Sequence, residues 1–264
     1  MLLFLIVLLL YLRQLIAMER LKIQIEVSPE LYSKNPDSSE LGRNIVSKSI
    51  ELMHEIGYED FTFKKLGALI CSPESSIYRY FVNKRNLLTY LTSWYWTWTE
   101  YRIVLSTTNV DCPIDRLKKS LELLTKPVKM DMNFSYINEA LLSEIIFTES
   151  TKAYHTKQVD EENEKGYFKA YKLVVQRVSE NILEIDPNFP YSHMLVSTVI
   201  EGAHQQKYYA EHLPALTDKG KDKETITKSF LVVISLKVVV SPFKVLIEEL
   251  SALKYRSMAS DLAT

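Results

Sequence analysis

The sequence predicts an all-α chain, with a small N-terminal three-helix head followed by a larger helical body. Three observations carry this. Only six glycines occur in 264 residues. The nine prolines fall mostly between periodic segments, where they punctuate rather than interrupt. Apolar residues recur at three- and four-residue spacing through one segment after another, the period of a helix with one buried face.

The elements follow in order. Leu2–Leu12 is an uninterrupted apolar run, broken by Arg13 and Gln14. It is shorter than the roughly 20 apolar residues of a spanning helix, and it lacks the basic start and small-residue cleavage site of a signal peptide. Residues 1–17 are read as an apolar extension upstream of a true start at Met18; the alternative is a membrane anchor. Residues 18–39 form an arm and loop: Leu21, Ile23, Ile25 and Val27 alternate with polar residues, and Pro29 and Pro36 follow. Asp37 with Glu40 resembles a capping box. Ile45, Val46, Ile50, Leu52, Met53 and Ile56 give an amphipathic helix that Gly57 ends.

Next come two short helices and a turn. Thr62 caps Phe63–Ile70, with Leu66, Leu69 and Ile70 as its apolar stripe. Cys71-Ser72 makes the turn. Ser72 or Pro73 opens a second helix to Phe81, with Ile77 and Phe81 inward and Glu74, Ser75, Ser76, Tyr78, Arg79 and Tyr80 outward. From Phe61 to Tyr90, five basic residues (64, 65, 79, 84, 85) face one acid, Glu74, a local charge of +4 on a chain whose total is −1. A polar, aromatic and basic helix face suits a DNA groove, whereas the near-zero total argues against indiscriminate coating of nucleic acid.

A fourth helix is predicted from Asn86 to about Ser106, with Leu87, Leu91, Trp94, Trp98, Tyr101 and Leu105 on one stripe. Further helices are predicted over 114–126, 136–148, 163–185, 191–211 and, after Asp222, through the apolar run 230–240, with a last one over 243–258. Residues 251–264 are a tail. Cys71 and Cys112 do not make a disulfide framework, so a cytoplasmic setting is the default.

The head resembles the DNA-binding domain of tetracycline-repressor (TetR) type regulators. The residues that match are Glu55, Gly57 and Tyr58; Thr62, Leu66 and Gly67; Ser76, Ile77, Tyr78, Tyr80 and Phe81; and Asn83, Lys84 and Leu87, covering roughly residues 42–90. Cys71-Ser72-Pro73 departs from the family's usual Gly-Val-Ser turn, and Glu74 departs from its usual phosphate-friendly residue. The resemblance implies a homodimeric, ligand-responsive repressor: residues 40–88 bind a double-stranded operator, and residues 89–250 bind an effector and dimerise. The two dimer helices would be Tyr191–Glu211, with Val196, Val199, Ile200 and Ala203 as its stripe, and residues 222–240.

Expected DNA contacts are assigned on this basis. Tyr78, Tyr80 and Lys84 suit phosphates, whereas Ser75, Ser76, Arg79 and Lys64 suit base edges, with Thr62 at the start of the first short helix. The aromatic-rich body reads either as a packed core or as the wall of a pocket for an apolar or aromatic compound. The pocket reading names Trp94, Trp98, Tyr101, Phe134, Tyr136, Phe147, Phe168 and Tyr171, with Arg102 facing an acid on the ligand or Glu144.

No phosphate loop, metalloprotease helix or nucleophile elbow occurs, and no enzyme activity, cofactor or metal is expected. Glu51-x-x-His54 and Glu201-x-x-His204 match the pairs of di-iron bundles. Solvated helix faces explain them as well. The alternatives are a membrane-tethered helical protein with a vestigial or protein-binding helix-turn-helix, and a di-iron bundle enzyme built on those pairs.

Overall fold

Every regular element among residues 25–130, 136–149 and 151–217, which this computed structural model describes, is helical. The head comprises α1 (Glu40–Asp60), α2 (Phe63–Leu69) and α3 (Glu74–Tyr78). The long α4 (Lys84–Thr107) leads into α5 (Pro113–Thr125), α6 (Glu139–Glu149), α7 (Thr151–Tyr154), α8 (Val159–Glu164), α9 (Lys169–Ile185) and α10 (Ser192–His212). Short 3-10 turns lie at Pro29–Leu31, Pro36–Ser38 and Pro214–Leu216.

Local chemistry sets the helix ends. Ser39, not Asp37, caps α1, its Oγ accepting from the Gly42 amide at 3.1 Å. Asp37 instead lies in a 3-10 turn that Asn35 caps, its amide donating to Asn35 Oδ1 at 2.8 Å. Gly57 adopts φ 75°, which a side chain rarely tolerates, but the chain regains helical form to Asp60, so the expected stop is a kink. Asn83 caps α4 through the Asn86 amide at 2.9 Å, so the helix starts at Lys84, two residues earlier than the periodicity places it. Gly166, at φ 80°, divides the single helix expected over 163–185 into α8 and α9.

The centre of the fold is α4. Its residues 87–96 are all buried, ten in succession, because α5, α6, α7 and α9 surround it. Leu105, placed on the inner stripe by its spacing, emerges into solvent beyond those neighbours. On the head side, Phe81 and Tyr90 meet edge to face at 5.3 Å. On the body side, α9 packs against α4, α5 and α10, and α1 lies along α6.

The proposed dimer stripe on α10 is corrected by this packing. Val196, Val199, Ile200 and Ala203 are buried within their own chain. Tyr191, Met194 and Tyr208 lie on the exposed side of the helix instead. The expected helices over 222–240 and 243–258, the extension 1–17 and Phe134 lie outside the described residues. Among the described residues, no helix is long and apolar enough to cross a membrane.

Candidate nucleic-acid interface and junction cavity

The helix-turn-helix is built on close backbone approach. Thr62 Oγ1 accepts from the Lys65 amide at 3.2 Å and starts α2. The Ser72 amide then donates to the Gly67 carbonyl at 2.9 Å, while Cys71 turns the chain at φ 51°. A Cβ on Gly67 would come within 2.7 Å of the Ser72 carbonyl oxygen, so glycine is required there. Pro73 takes the N-cap position of α3 without a side-chain bond, leaving Ser72 outside that role. The helix ends at Tyr78, and Tyr80 and Phe81 close it by donating their amides to the Ile77 carbonyl at 2.9 and 3.1 Å.

Ile77 and Phe81 are fully buried as expected; Leu69, assigned to the inner stripe of α2, is 50% exposed. On α3 the outward face holds Ser75, Tyr78 and Arg79, with Ser76 half-buried at its edge. Tyr78 is 49% exposed while its ring packs edge to face on Phe63 at 5.0 Å, which fixes its direction. Lys64 and Thr62 are exposed at the start of α2. The structure therefore leaves Thr62, Lys64, Ser75, Tyr78 and Arg79 exposed on the two short helices, with Ser76 half-buried.

Two assignments are corrected. Tyr80 is 3% exposed, and its hydroxyl shares a hydrogen bond with Ser39 Oγ at 2.7 Å, so it ties the end of α3 to the cap of α1. The Lys84 ammonium donates to the carbonyls of Tyr58, Glu59 and Phe61 at 3.0, 3.0 and 3.3 Å. These are the orphan carbonyls at the C-terminus of α1, where a cation is favoured. Arg85 turns into the body, paired with Glu162 at 2.5 Å and bonded to the Ala153 carbonyl at 3.0 Å. Of the five basic residues counted in the sequence, Lys84 and Arg85 are thus committed internally.

The head is fastened to the body at several points besides Arg85. Tyr136 donates its hydroxyl to Asp37. Lys152 bridges Glu59 and Glu149, at 2.7 Å from each. His54 Nε2 on α1 lies 2.7 Å from Glu144 Oε2 on α6. Glu144 is therefore not the partner of Arg102, whose guanidinium lies over the Trp98 ring at 4.4 Å.

Beside the His54–Glu144 contact is a cavity of about 270 Å³, walled by α1 (Met53, His54, Gly57), α6 (Phe147 among others), α10 (His204, Lys207, Tyr208) and the Pro127-Val128 segment. Its inner wall is an aromatic and cationic stack. The His204 imidazole lies 4.0 Å from the Phe147 ring, and the Lys207 ammonium stands 4.5 Å above that ring. Burial, then the Lys207 charge, pushes the His204 pKa down to about 3, which keeps the imidazole neutral.

Most of the aromatic residues expected to line a pocket are not among those that wall the junction cavity. Trp94 and Trp98 stack at 6.2 Å, Tyr95 packs on Trp98 at 6.0 Å, and all three are buried. Trp94, Trp98, Tyr101, Arg102 and Tyr136 are not among the residues that wall the junction cavity, whereas Phe147 is. Phe168 and Tyr171 border a separate void of about 10 Å³, beside Trp96, which stacks on Tyr171 at 4.4 Å. The Glu-x-x-His pairs also separate: Glu51 binds Lys48 at 2.6 Å, and Glu201 accepts from the hydroxyls of Tyr154 and Tyr171 at 3.2 and 3.0 Å. Among the described residues, no three His, Cys, Asp or Glu side chains gather to hold a metal.

The junction cavity was not legible as a site in the sequence. Phe147, expected in a pocket wall, does line it, as do His54 and His204 of the two Glu-x-x-His pairs, which the metal reading used differently.

No family model and no curated protein matches the sequence. Among solved structures, the fold is similar to that of AibR in complex with isovaleryl coenzyme A and operator DNA, at 14% identity and a TM-score of 0.51, covering 72% of this chain and 96% of that one. Apo AibR matches at 15% identity and a TM-score of 0.43, with 72% and 95% coverage. The likeness is one of fold: the all-α architecture is shared with a protein solved in complex with operator DNA.

Proposed function

We propose that the chain is a DNA-binding transcriptional regulator of TetR type, working as a homodimer whose operator affinity a small molecule lowers. The observation that carries this is the geometry of α3. Its inner residue Ile77 is buried, while Ser75, Tyr78 and Arg79 project from the opposite side, and Lys64 at the start of α2 is exposed as well. A short helix anchored in this way can enter a major groove and offer hydrogen-bond donors to base edges.

AibR, solved with operator DNA and isovaleryl coenzyme A, supports the same reading through its fold. Two-fold symmetry would pair two such helices on a near-palindromic site. The exposed Tyr191 and Met194 of α10 are the apolar surface offered for dimer contact. Release then requires an effector that prefers the non-binding arrangement of the two heads.

Selection of bound fragments from genomic DNA with the purified full chain tests this. A near-palindromic consensus recovered at physiological salt is the expected result. Recovery of fragments without a common motif sinks the proposal.

A further inference from the structure

We propose that Lys34, in the loop before α1, contacts a backbone phosphate of the duplex that α3 enters, and that Tyr80 holds it in place. The inference deepens the regulator reading and rests on it for the class of partner, double-stranded DNA.

Three of the five basic residues of the head are turned to main-chain carbonyls. Lys65 donates to Asp60 at 2.8 Å, Lys84 to Tyr58 at 3.0 Å and Arg85 to Ala153 at 3.0 Å. Lys64 at the start of α2 and Arg79 at the end of α3 stay exposed. A helix that reads base edges also needs phosphate contacts on its flanks to fix its register.

The loop brings a further cation to α3. The Ser33 amide donates to the Tyr80 carbonyl at 2.8 Å, which docks the loop on the C-terminal end of that helix. The next residue, Lys34, is exposed, and its ammonium stands 5.0 Å from the centroid of the Tyr80 ring. Burial alone would push the Tyr80 phenol up; Ser39, Lys34 and the charge of Arg79 together hold it below its ordinary value. One side chain therefore feels a cation from the loop and a cation from α3. An ammonium has three donors, and a ring face engages it from one side only. The one acid of residues 32–39, Asp37, accepts from the Tyr136 hydroxyl of the body.

The loop is braced on both sides of Lys34. Tyr32 packs edge to face on Tyr90 at 6.1 Å. Beyond Lys34, Ser38 Oγ donates to the Asn35 carbonyl at 2.6 Å and the Arg43 guanidinium to the Asp37 carbonyl at 2.7 Å. A Cβ on Gly42 would come within 2.2 Å of the Pro36 carbonyl oxygen, so the loop lies directly against α1. With the backbone already fixed, a phosphate contact orders one lysine side chain and no more.

Salt separates this role from a purely structural one. A lysine that only covers the Tyr80 ring affects stability and leaves the salt dependence of DNA binding alone. A phosphate contact releases counter-ions on binding and steepens that dependence.

The experiment uses the full chain and two duplexes of about 30 base pairs, one of mixed sequence and one carrying the consensus from the genomic selection. Fluorescence anisotropy measures affinity from about 50 to 200 mM salt. Lys34→Gln should flatten the slope of log affinity against log salt by about 1 per subunit, equally on both duplexes, and should return the same consensus. Lys34→Arg should restore the slope. Lys118→Gln removes the same charge from an exposed position on α5 and should leave the slope as it is. Circular dichroism should show all three variants folded, since both lysines are exposed.

An unchanged slope in Lys34→Gln, an equal flattening in Lys118→Gln, or a loss confined to the consensus duplex overturns the assignment. An unchanged slope in a chain that recovers a consensus removes Lys34 and leaves the regulator reading standing. A slope that depends on Lys34, in a chain that recovers no consensus, does the reverse. A wild-type chain that binds neither duplex overturns both.

Discussion

The Lys84 ammonium donates to the main-chain carbonyl of Tyr58 at 3.0 Å and also stands 4.6 Å from the centroid of that residue's ring. One side chain at the start of α4 thereby closes the end of α1, a distance of 26 residues in sequence. Charged hydrogen bonds of this kind contribute about 1.5–3 kcal/mol when well shielded; partial solvent access places Lys84 near the lower figure. Lys84→Met should therefore lower the unfolding free energy by about 1–2 kcal/mol in a urea titration. The salt dependence of DNA binding should keep its slope. A slope flatter by about 1 per site would restore Lys84 to the phosphate contacts.

Tyr80 gives a second separation of structure from contact. Its hydroxyl binds Ser39 Oγ inside the head. Tyr80→Phe should cost about 0.5–1.5 kcal/mol, the net worth of one neutral hydrogen bond, with operator affinity unchanged once folding is complete. Tyr78→Phe, at a 49% exposed ring, should do the opposite: little change in stability and weaker binding to every sequence. If the two variants exchange these phenotypes in parallel denaturation and gel-shift measurements, the outward face of α3 has been misassigned.

Arg79 is expected to read a base. Arginine pairs with guanine O6 and N7 at about 1–3 kcal/mol per good bidentate contact. Arg79→Ala should relax preference at one position in each half-site and leave the rest of the motif intact. The check is to repeat the genomic selection with the variant; an identical consensus makes Arg79 a backbone or solvent residue.

His204 predicts an acid limb in stability. The unfolded imidazole takes a proton below its ordinary value near 6.5, whereas burial beside Lys207 delays protonation in the folded chain to about 3. Between those values the unfolded state holds more protons, so stability falls as the pH is lowered through the window, by at most about 1.4 kcal/mol per pH unit. His204→Gln should flatten the slope between pH 6 and pH 5, where most carboxylates are still ionised. An unchanged slope in that range would mean His204 protonates without difficulty in the folded protein.

Local chemistry was legible in the sequence; long-range commitments were not. Thr62 acts on the Lys65 amide, three residues away, and its role as cap follows from residue type and position; Asn83, a cap of the same kind, was passed over, and Gly57 was expected to stop a helix that it only kinks. The inward facing of Ile77 and Phe81 likewise follows from a spacing of four on one short helix. Lys84, by contrast, looked like a DNA contact because the carbonyls it meets lie far back in the chain. Leu69 and Val196 carried apolar patterns that specified a buried face without specifying what would cover it. Leu69 stays half exposed, and Val196 is covered by its own chain rather than by a second copy. The His54–Glu144 contact spans 90 residues, and the cavity beside it is a property of three helices at once, which no window of sequence contains.

The buried run 87–96 has a consequence for how motion can travel. A 24-residue helix is about 36 Å long at 1.5 Å per residue, and α4 is such a helix, rooted in the body and ending beneath the head. It behaves as a lever, with no flexible joint along its packed half. A tilt of about 5° pivoted near Thr107 would carry the Lys84 end through about 3 Å, by the same length arithmetic. In the proposed two-fold dimer both levers would swing, so a sub-ångström adjustment deep in the body would become a mismatch of several ångströms between two heads that a bound duplex would hold to a fixed pitch.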